Sequence, residues 1–266
     1  MKSIKKIIAV VNDFSMIDII IEKTFAFSQK YHAVVEILYV HERPLFGIPD
    51  FFHSGDDDLP LNKVKIKESI LEKVNNFNFE KEPVVFVKID DTPDRVLALA
   101  REDKETLIIT PYHKDITEKV LNKISQPILI VKGHIKNYQK MALIVDVGTP
   151  SLSCIERAKS CFPKIDIELF YDYRYIVDPS MEADLQNIQI IEEAQREGFK
   201  KLKEESGLDG KFFIDGDFLG KQISDYLQEK NFDIIYACSH EDGFFVSDNL
   251  SNTILKDLSY DMLIVN

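Results

Sequence analysis

Apolar residues fall in short continuous runs, separated by longer stretches in which apolar and polar positions mix. The runs cover residues 7–11, 34–40, 84–89, 107–110 and 128–131, then 142–145, 165–171, 211–214, 233–237 and 262–265. Brief, rich in β-branched residues and without alternation, they predict strands buried on both faces, as in a parallel sheet. The stretches between them predict helices. Ser15-Met16-Ile17-Asp18 has the Ser-x-x-Asp form of a capping box, with Ile17, Ile20, Ile21 and Thr24 on one face behind it. Ile188, Ile191, Ala194, Gly198 and Leu202 recur at spacings of 3, 3, 4 and 4, the rhythm of a core-facing helical stripe.

The pattern occurs twice. Residues 6–12 (KIIAVVN) match residues 140–146 (KMALIVD) at an offset of 134. The same offset pairs Val120-Leu121 with Ile254-Leu255, and residues 128–131 with residues 262–265. One offset at two widely separated places predicts a duplicated unit. The polar connector 133–139 then divides the chain into 1–133 and 134–266. Five strands alternating with helices in each half predict an α/β fold of two tandem doubly wound, Rossmann-like parallel sheets. Ligands of such sheets lie at the carboxyl ends of the strands.

Composition narrows the function. With 266 residues, 45% hydrophobic and 29% charged, the chain can build a full core without metal or disulfide staples. Its net charge of −12, mostly in the second half, opposes nucleic-acid binding, which needs a basic stripe to displace counterions. The three cysteines, Cys154, Cys161 and Cys238, contain no Cys-x-x-Cys, which predicts a reduced chain without a zinc site. Cys154 and Cys161 read as buried thiols on one helix face rather than as a redox pair. The first apolar run ends at Asn12-Asp13, too early for a secretion signal, and no run approaches the roughly 18 residues a membrane span needs. The expected location is the cytoplasm.

Three features resemble the universal stress protein family of UspA type, over nearly the whole chain. The first strand of each half ends in an acidic or amide residue, Asn12-Asp13 and Asp146. The second strand, Ile37-Leu38-Tyr39-Val40-His41, is similar to the family's Leu-Leu-His-Val run. The first half closes on Val120-Leu121, then Gln126-Pro127-Ile128-Leu129-Ile130-Val131, similar to the family's Val-Leu … Cys-Pro-Val-Leu-Val-Val ending. The resemblance implies an adenine nucleotide alpha hydrolase-like fold, two halves packed as a pseudo-twofold dimer, and a stress-linked regulatory role.

The departure from the family bears on mechanism. ATP-binding members carry Gly-x2-Gly-x9-Gly-(Ser/Thr) after the fourth strand, where bare backbone amides meet the phosphates. The first half has no glycine between Thr110 and Val120, and Asp115-Ile116-Thr117-Glu118 looks like a self-capped helix start. In the second half, residues 238–253 form a longer loop with one glycine, Gly243. Its Glu241, Asp242 and Asp248 would face a triphosphate. Each like-charge pair at about 5 Å costs roughly 3 kcal/mol at an effective dielectric of 20. A hydroxyl hydrogen bond from Ser239 or Ser251 returns only about 1 kcal/mol.

No Gly-x-Ser-x-Gly, Gly-x-Gly-x-x-Gly or Walker motif occurs, so enzymatic readings lack an anchor. The His53-to-Asp58 run lacks calcium-loop spacing, and His113 and His240 lack a second ligand at metal-binding spacing. Aromatic residues in 44–52 and at Phe244-Phe245 either fill space above the sheets or line an apolar cavity or partner patch.

These features predict a non-enzymatic binding or interaction module of the non-ATP-binding type, with no cofactor and no metal. Its expected partner is a protein or a small apolar ligand, neither nucleic acid nor membrane. It is expected to act as a monomer that is its own pseudo-dimer, or as a homodimer. The alternative is a stress protein binding ATP or AMP, with weak ATPase activity in the second half. Asp146, Ser239, Gly243, Asn249 and Ser251 are then the nucleotide-contact candidates, although Asp146 equally suits capping of the helix that follows.

Overall fold

The computed structural model describes residues 4–42, 63–100, 105–113, 117, 119–121, 125–133, 137–145, 147, 150–174, 182–215, 221–238 and 260–265. The chain divides into two units, Lys2–Val131 and Lys132–Asn266.

In the first unit the apolar runs become β1 (Lys6–Val10), β2 (Val34–Glu42), β3 (Val84–Asp90), β4 (Thr106–Pro111) and β5 (Ile128–Val131). They pair in parallel in the order β3-β2-β1-β4-β5. Parallel neighbours need a crossover between them. Helices α1 (Ile17–Tyr31), α2 (Lys63–Val74) and α3 (Thr92–Ala100) lie in the crossovers β1–β2, β2–β3 and β3–β4. Every residue of β4 and β5 is buried, which explains why these strands read as unbroken apolar runs.

The second unit repeats the plan with β6 (Lys140–Ile144), α4 (Pro150–Cys161), β7 (Asp166–Arg174), α5 (Glu182–Ser206), β8 (Gly210–Asp215), α6 (Lys221–Lys230), β9 (Ile234–Cys238) and β10 (Asp261–Val265). Its order, β8-β7-β6-β9-β10, is the first unit's order strand for strand, again all parallel. The duplication reaches single hydrogen bonds. Val11 N–H donates to Leu38 O at 3.0 Å, and Val145 N–H donates to Phe170 O at 2.8 Å.

Three local expectations are corrected. Ser15 is not a side-chain cap: α1 begins after Met16 without one, and the Ser15 amide and hydroxyl both donate to Asp13 Oδ1, at 2.8 and 2.6 Å. The buried face behind it is as expected, with Ile17, Ile20, Ile21 and Thr24 all in the core.

The stripe expected on α5 is not a core stripe along its length. Ile191 and Ala194 are exposed, and burial is carried by Phe199 and Leu202 nearer the C-terminal end. Gly198 stands where the helix approaches Val147 so closely that a Cβ would overlap Val147 Cγ1.

Cysteine state is the third correction. Cys154 on α4 and Cys238 at the end of β9 form a disulfide, and Cys161 stays outside that bond as a buried thiol. Composition offered no pairing signal, because the bond joins residues 84 apart that meet only when α4 packs on β9.

Candidate functional site

A doubly wound sheet opens a crevice where successive crossovers leave in opposite directions. In the first unit that place is the carboxyl edge between β1 and β4, since β2 and β3 lie to one side of β1 and β4 and β5 to the other. A cleft of about 420 Å³ lies there. Its wall comes from three places: Val10 and Asn12 to Phe14 off β1, Tyr39 to His41 on β2, and Thr110 to His113 off β4.

Asn12 forms the floor as a strut. Its Oδ1 accepts the Val40 amide at 2.8 Å, and its Nδ2 donates to Thr92 Oγ1 at 2.7 Å. One side chain therefore fastens the ends of β1 and β2 to the first residue of α3. With its Oδ1 and Nδ2 engaged in this way, Asn12 fixes the cleft's shape more than it recognises an occupant.

Phe14 and Tyr39 form an aromatic corner, with ring centroids 5.5 Å apart and tilted planes. Phe14 is 42% exposed, a large apolar ring left facing solvent at the cleft. Burial raises the Tyr39 pKa above its ordinary value, so the hydroxyl stays a neutral donor.

The β4 side decides what charge the cleft accepts. The Tyr112 amide donates to Val131 O at 3.1 Å, and the His113 amide donates to Thr117 Oγ1 at 2.9 Å. Thr117 N–H returns a bond to His113 O at 2.7 Å, closing the turn. Glycine-rich phosphate loops leave such amides open. Here the two backbone donors nearest the end of β4 are already engaged. The expected capping by the Asp115 and Glu118 carboxylates lies outside the described residues, and the acceptor seen here is the Thr117 hydroxyl.

Asp146, Ser239, Gly243, Asn249 and Ser251 all lie outside the described residues, as do Glu241, Asp242, Asp248, His240 and the aromatic stretches 44–52 and 244–245. His113 is described and exposed at the cleft, and His41 lies on the β2 wall. Among the described residues no cluster of three or more His, Cys, Asp or Glu side chains could hold a metal, and no helix is long and apolar enough to cross a membrane.

The first-unit cleft was not legible from motifs, because it carries none of the glycines that announce a phosphate site. Its signal was aromatic: Phe14 just after the first strand, Tyr39 on the second and Tyr112 just after the fourth.

No family model and no curated protein matches the sequence. Solved structures do match over nearly the full length. A protein of unknown function from Pseudomonas aeruginosa shares 14% identity at a TM-score of 0.68, covering 98% of this chain and 92% of its own. A second Pseudomonas aeruginosa protein, assigned as a universal stress protein, gives 14% and 0.68, covering 98% and 93%. A universal stress protein from Archaeoglobus fulgidus gives 15% and 0.65, covering 99% and 97%. The fold is the α/β fold found in universal stress proteins.

Proposed function

We propose that this protein is a non-enzymatic, stress-linked binding module whose first unit holds a small, planar, largely uncharged ligand in the cleft between β1 and β4. The observation that carries this reading is the engagement of the Tyr112 and His113 amides by Val131 and Thr117. A polyphosphate entering there would lose water and find those backbone donors taken, at a cost of about 1–3 kcal/mol for each polar group left unmatched. The Asp13 side chain on the same wall adds repulsion. The Phe14 and Tyr39 rings instead supply faces for stacking, and a volume of about 420 Å³ suits a ligand the size of a nucleoside.

Calorimetry of the full chain with adenosine, AMP, ADP and ATP tests this. The expected result is affinity that does not rise with phosphate number, with ATP no tighter than about millimolar, roughly −4 kcal/mol. Phe14→Ala should weaken adenosine binding at least fivefold. Micromolar ATP binding would overturn the reading. If it survived Phe14→Ala, the nucleotide would belong to the second unit, where Asp146 is the candidate contact.

A further inference from the structure

We propose that the Cys154–Cys238 pair is a site of reversible thiol–disulfide exchange, through which the second unit reacts with a dithiol partner. This goes beyond the ligand reading and sits in the other unit, so either can fail alone.

Domains with too little core depend on disulfides to stay folded. The second unit is not such a domain: every residue of β10 is buried, as are four of the five in β9. The first unit supplies an internal comparison, because it builds the same strand order without a cysteine. Strand register puts Tyr236 beside Leu143 and Ile109 beside Ala9, so Pro111 holds the position that Cys238 holds in the second unit. The 134-residue offset places Cys154 opposite Ile20, which is fully buried on α1. Helix α1 packs on β4 as α4 packs on β9. The first unit therefore packs this helix on this strand without a covalent bond, and in the second unit the bond is an addition to the same packing.

The bond is also asymmetric. Cys154 is 2% exposed, whereas Cys238 is half-buried at the carboxyl end of its strand. Exchange starts at the accessible end. A partner thiolate attacks Cys238 Sγ, forms a mixed disulfide there and expels the Cys154 thiolate, which takes up a proton. The partner's second thiol, losing its proton, then attacks the partner sulfur of the mixed disulfide and expels the Cys238 thiolate, which is protonated. Two electrons pass from the dithiol, which leaves as a disulfide, to the protein, which gains two thiols.

Cys161 takes no part. It lies seven residues along α4 from Cys154, about 10 Å on a helix, beyond the reach of a disulfide. In the proposed exchange the second sulfur nucleophile is the partner's own second thiol, and the Cys161→Ala variant tests that assignment.

The test uses the full native chain, equilibrated in buffers of reduced and oxidised dithiothreitol and, separately, with a reduced thioredoxin-type protein. Thiols are then counted by mass tagging after acid quench and unfolding. The expected result is one tagged thiol in oxidising buffer and three in reducing buffer, through a single two-electron transition reversed by reoxidation. Far-UV circular dichroism should be unchanged across it. Cys161→Ala should shift the counts to zero and two without moving the midpoint. Cys154→Ala/Cys238→Ala should fold, and should show one thiol in every buffer. The proposal is overturned if reduction requires denaturant, if the reduced chain or the double variant loses its secondary structure, or if three thiols persist in oxidising buffer.

Discussion

Tyr138 and Asp261, 123 residues apart in sequence, are joined by a 2.6 Å hydrogen bond from the tyrosine hydroxyl to Asp261 Oδ2. Asp261 is 1% exposed, and its other oxygen accepts the Lys132 and Gly133 amides at 2.7 and 2.9 Å. A single carboxylate at the start of β10 thus fixes both ends of the segment that leads into β6. Asp233 does the same one step on, accepting the Gln139 and Lys140 amides on one oxygen. Removing Asp261 strands three half-buried donors at once, so Asp261→Ala should cost about 3–5 kcal/mol of unfolding free energy. Tyr138→Phe should cost about 1.5–3 kcal/mol, the range for a hydrogen bond to a charged group. Urea denaturation of the singles and the double should show strong coupling, and additive losses would mean that the two side chains do not act together.

Alkaline pH should destabilise the protein through its tyrosines. Burial first, then the Asp261 charge and hydrogen bond, raises Tyr138 well above its usual value. Tyr226 is raised likewise, by burial first and then by its hydrogen bond to Glu168. A raised folded-state pKa means that the unfolded chain gives up the proton first. The stabilisation is therefore whole below about pH 10, the unfolded value, and drains away as pH climbs from there toward the folded value. Thermal midpoints measured between pH 8 and pH 12 should hold steady and then fall. The fall should be shallower in Tyr138→Phe and Tyr226→Phe.

Gly198 should tolerate no side chain. Alanine gains up to about 1 kcal/mol in helix propensity, yet its methyl would sit inside Val147 Cγ1. Overpacking of this kind costs about 1–3 kcal/mol, so Gly198→Ala should be destabilising on balance. Val147→Ala should rescue it. Equal stability of Gly198→Ala in the two backgrounds would show that the clash is not what matters.

Asn12 separates hydrogen bonding from charge. Asn12→Ala removes the acceptor of the buried Val40 amide and should cost about 1–3 kcal/mol. Asn12→Asp keeps that acceptor, and the Thr92 hydroxyl can turn to donate to the new carboxylate. It should cost less than alanine. Chemical denaturation of both variants gives the order, and the reverse order would refute the strut.

How far the sequence could be read depended on what each residue answers to. Buried parallel strands answer to burial alone, and each of the ten apolar runs falls on a strand to within a residue, although the edge strand β3 keeps only Val85 buried. Polar strand ends answer to pairing instead. Strand β2 continues through His41 and Glu42 because β3 supplies Ile89 and Asp90 as register partners, and β7 reaches Arg174 opposite Asp215. Nothing in local hydropathy shows this. The Asp13–Ser15 bond inverts a motif that looked like a cap, because aspartate at the strand end reached the serine first. The cleft depended on three segments brought together by strand order, and the disulfide on a helix meeting a strand.

The disulfide also changes what a cut in the backbone does. Its two sulfurs close a ring over α4, β7, α5, β8, α6 and β9, spanning 84 residues. A protease that nicks the chain anywhere inside that ring leaves one covalent molecule, which runs at full mass on a non-reducing gel and separates into two pieces once reduced. The first unit contains no such ring, and a single nick there releases two polypeptides under either condition. The same scissile event is silent inside the ring and visible outside it.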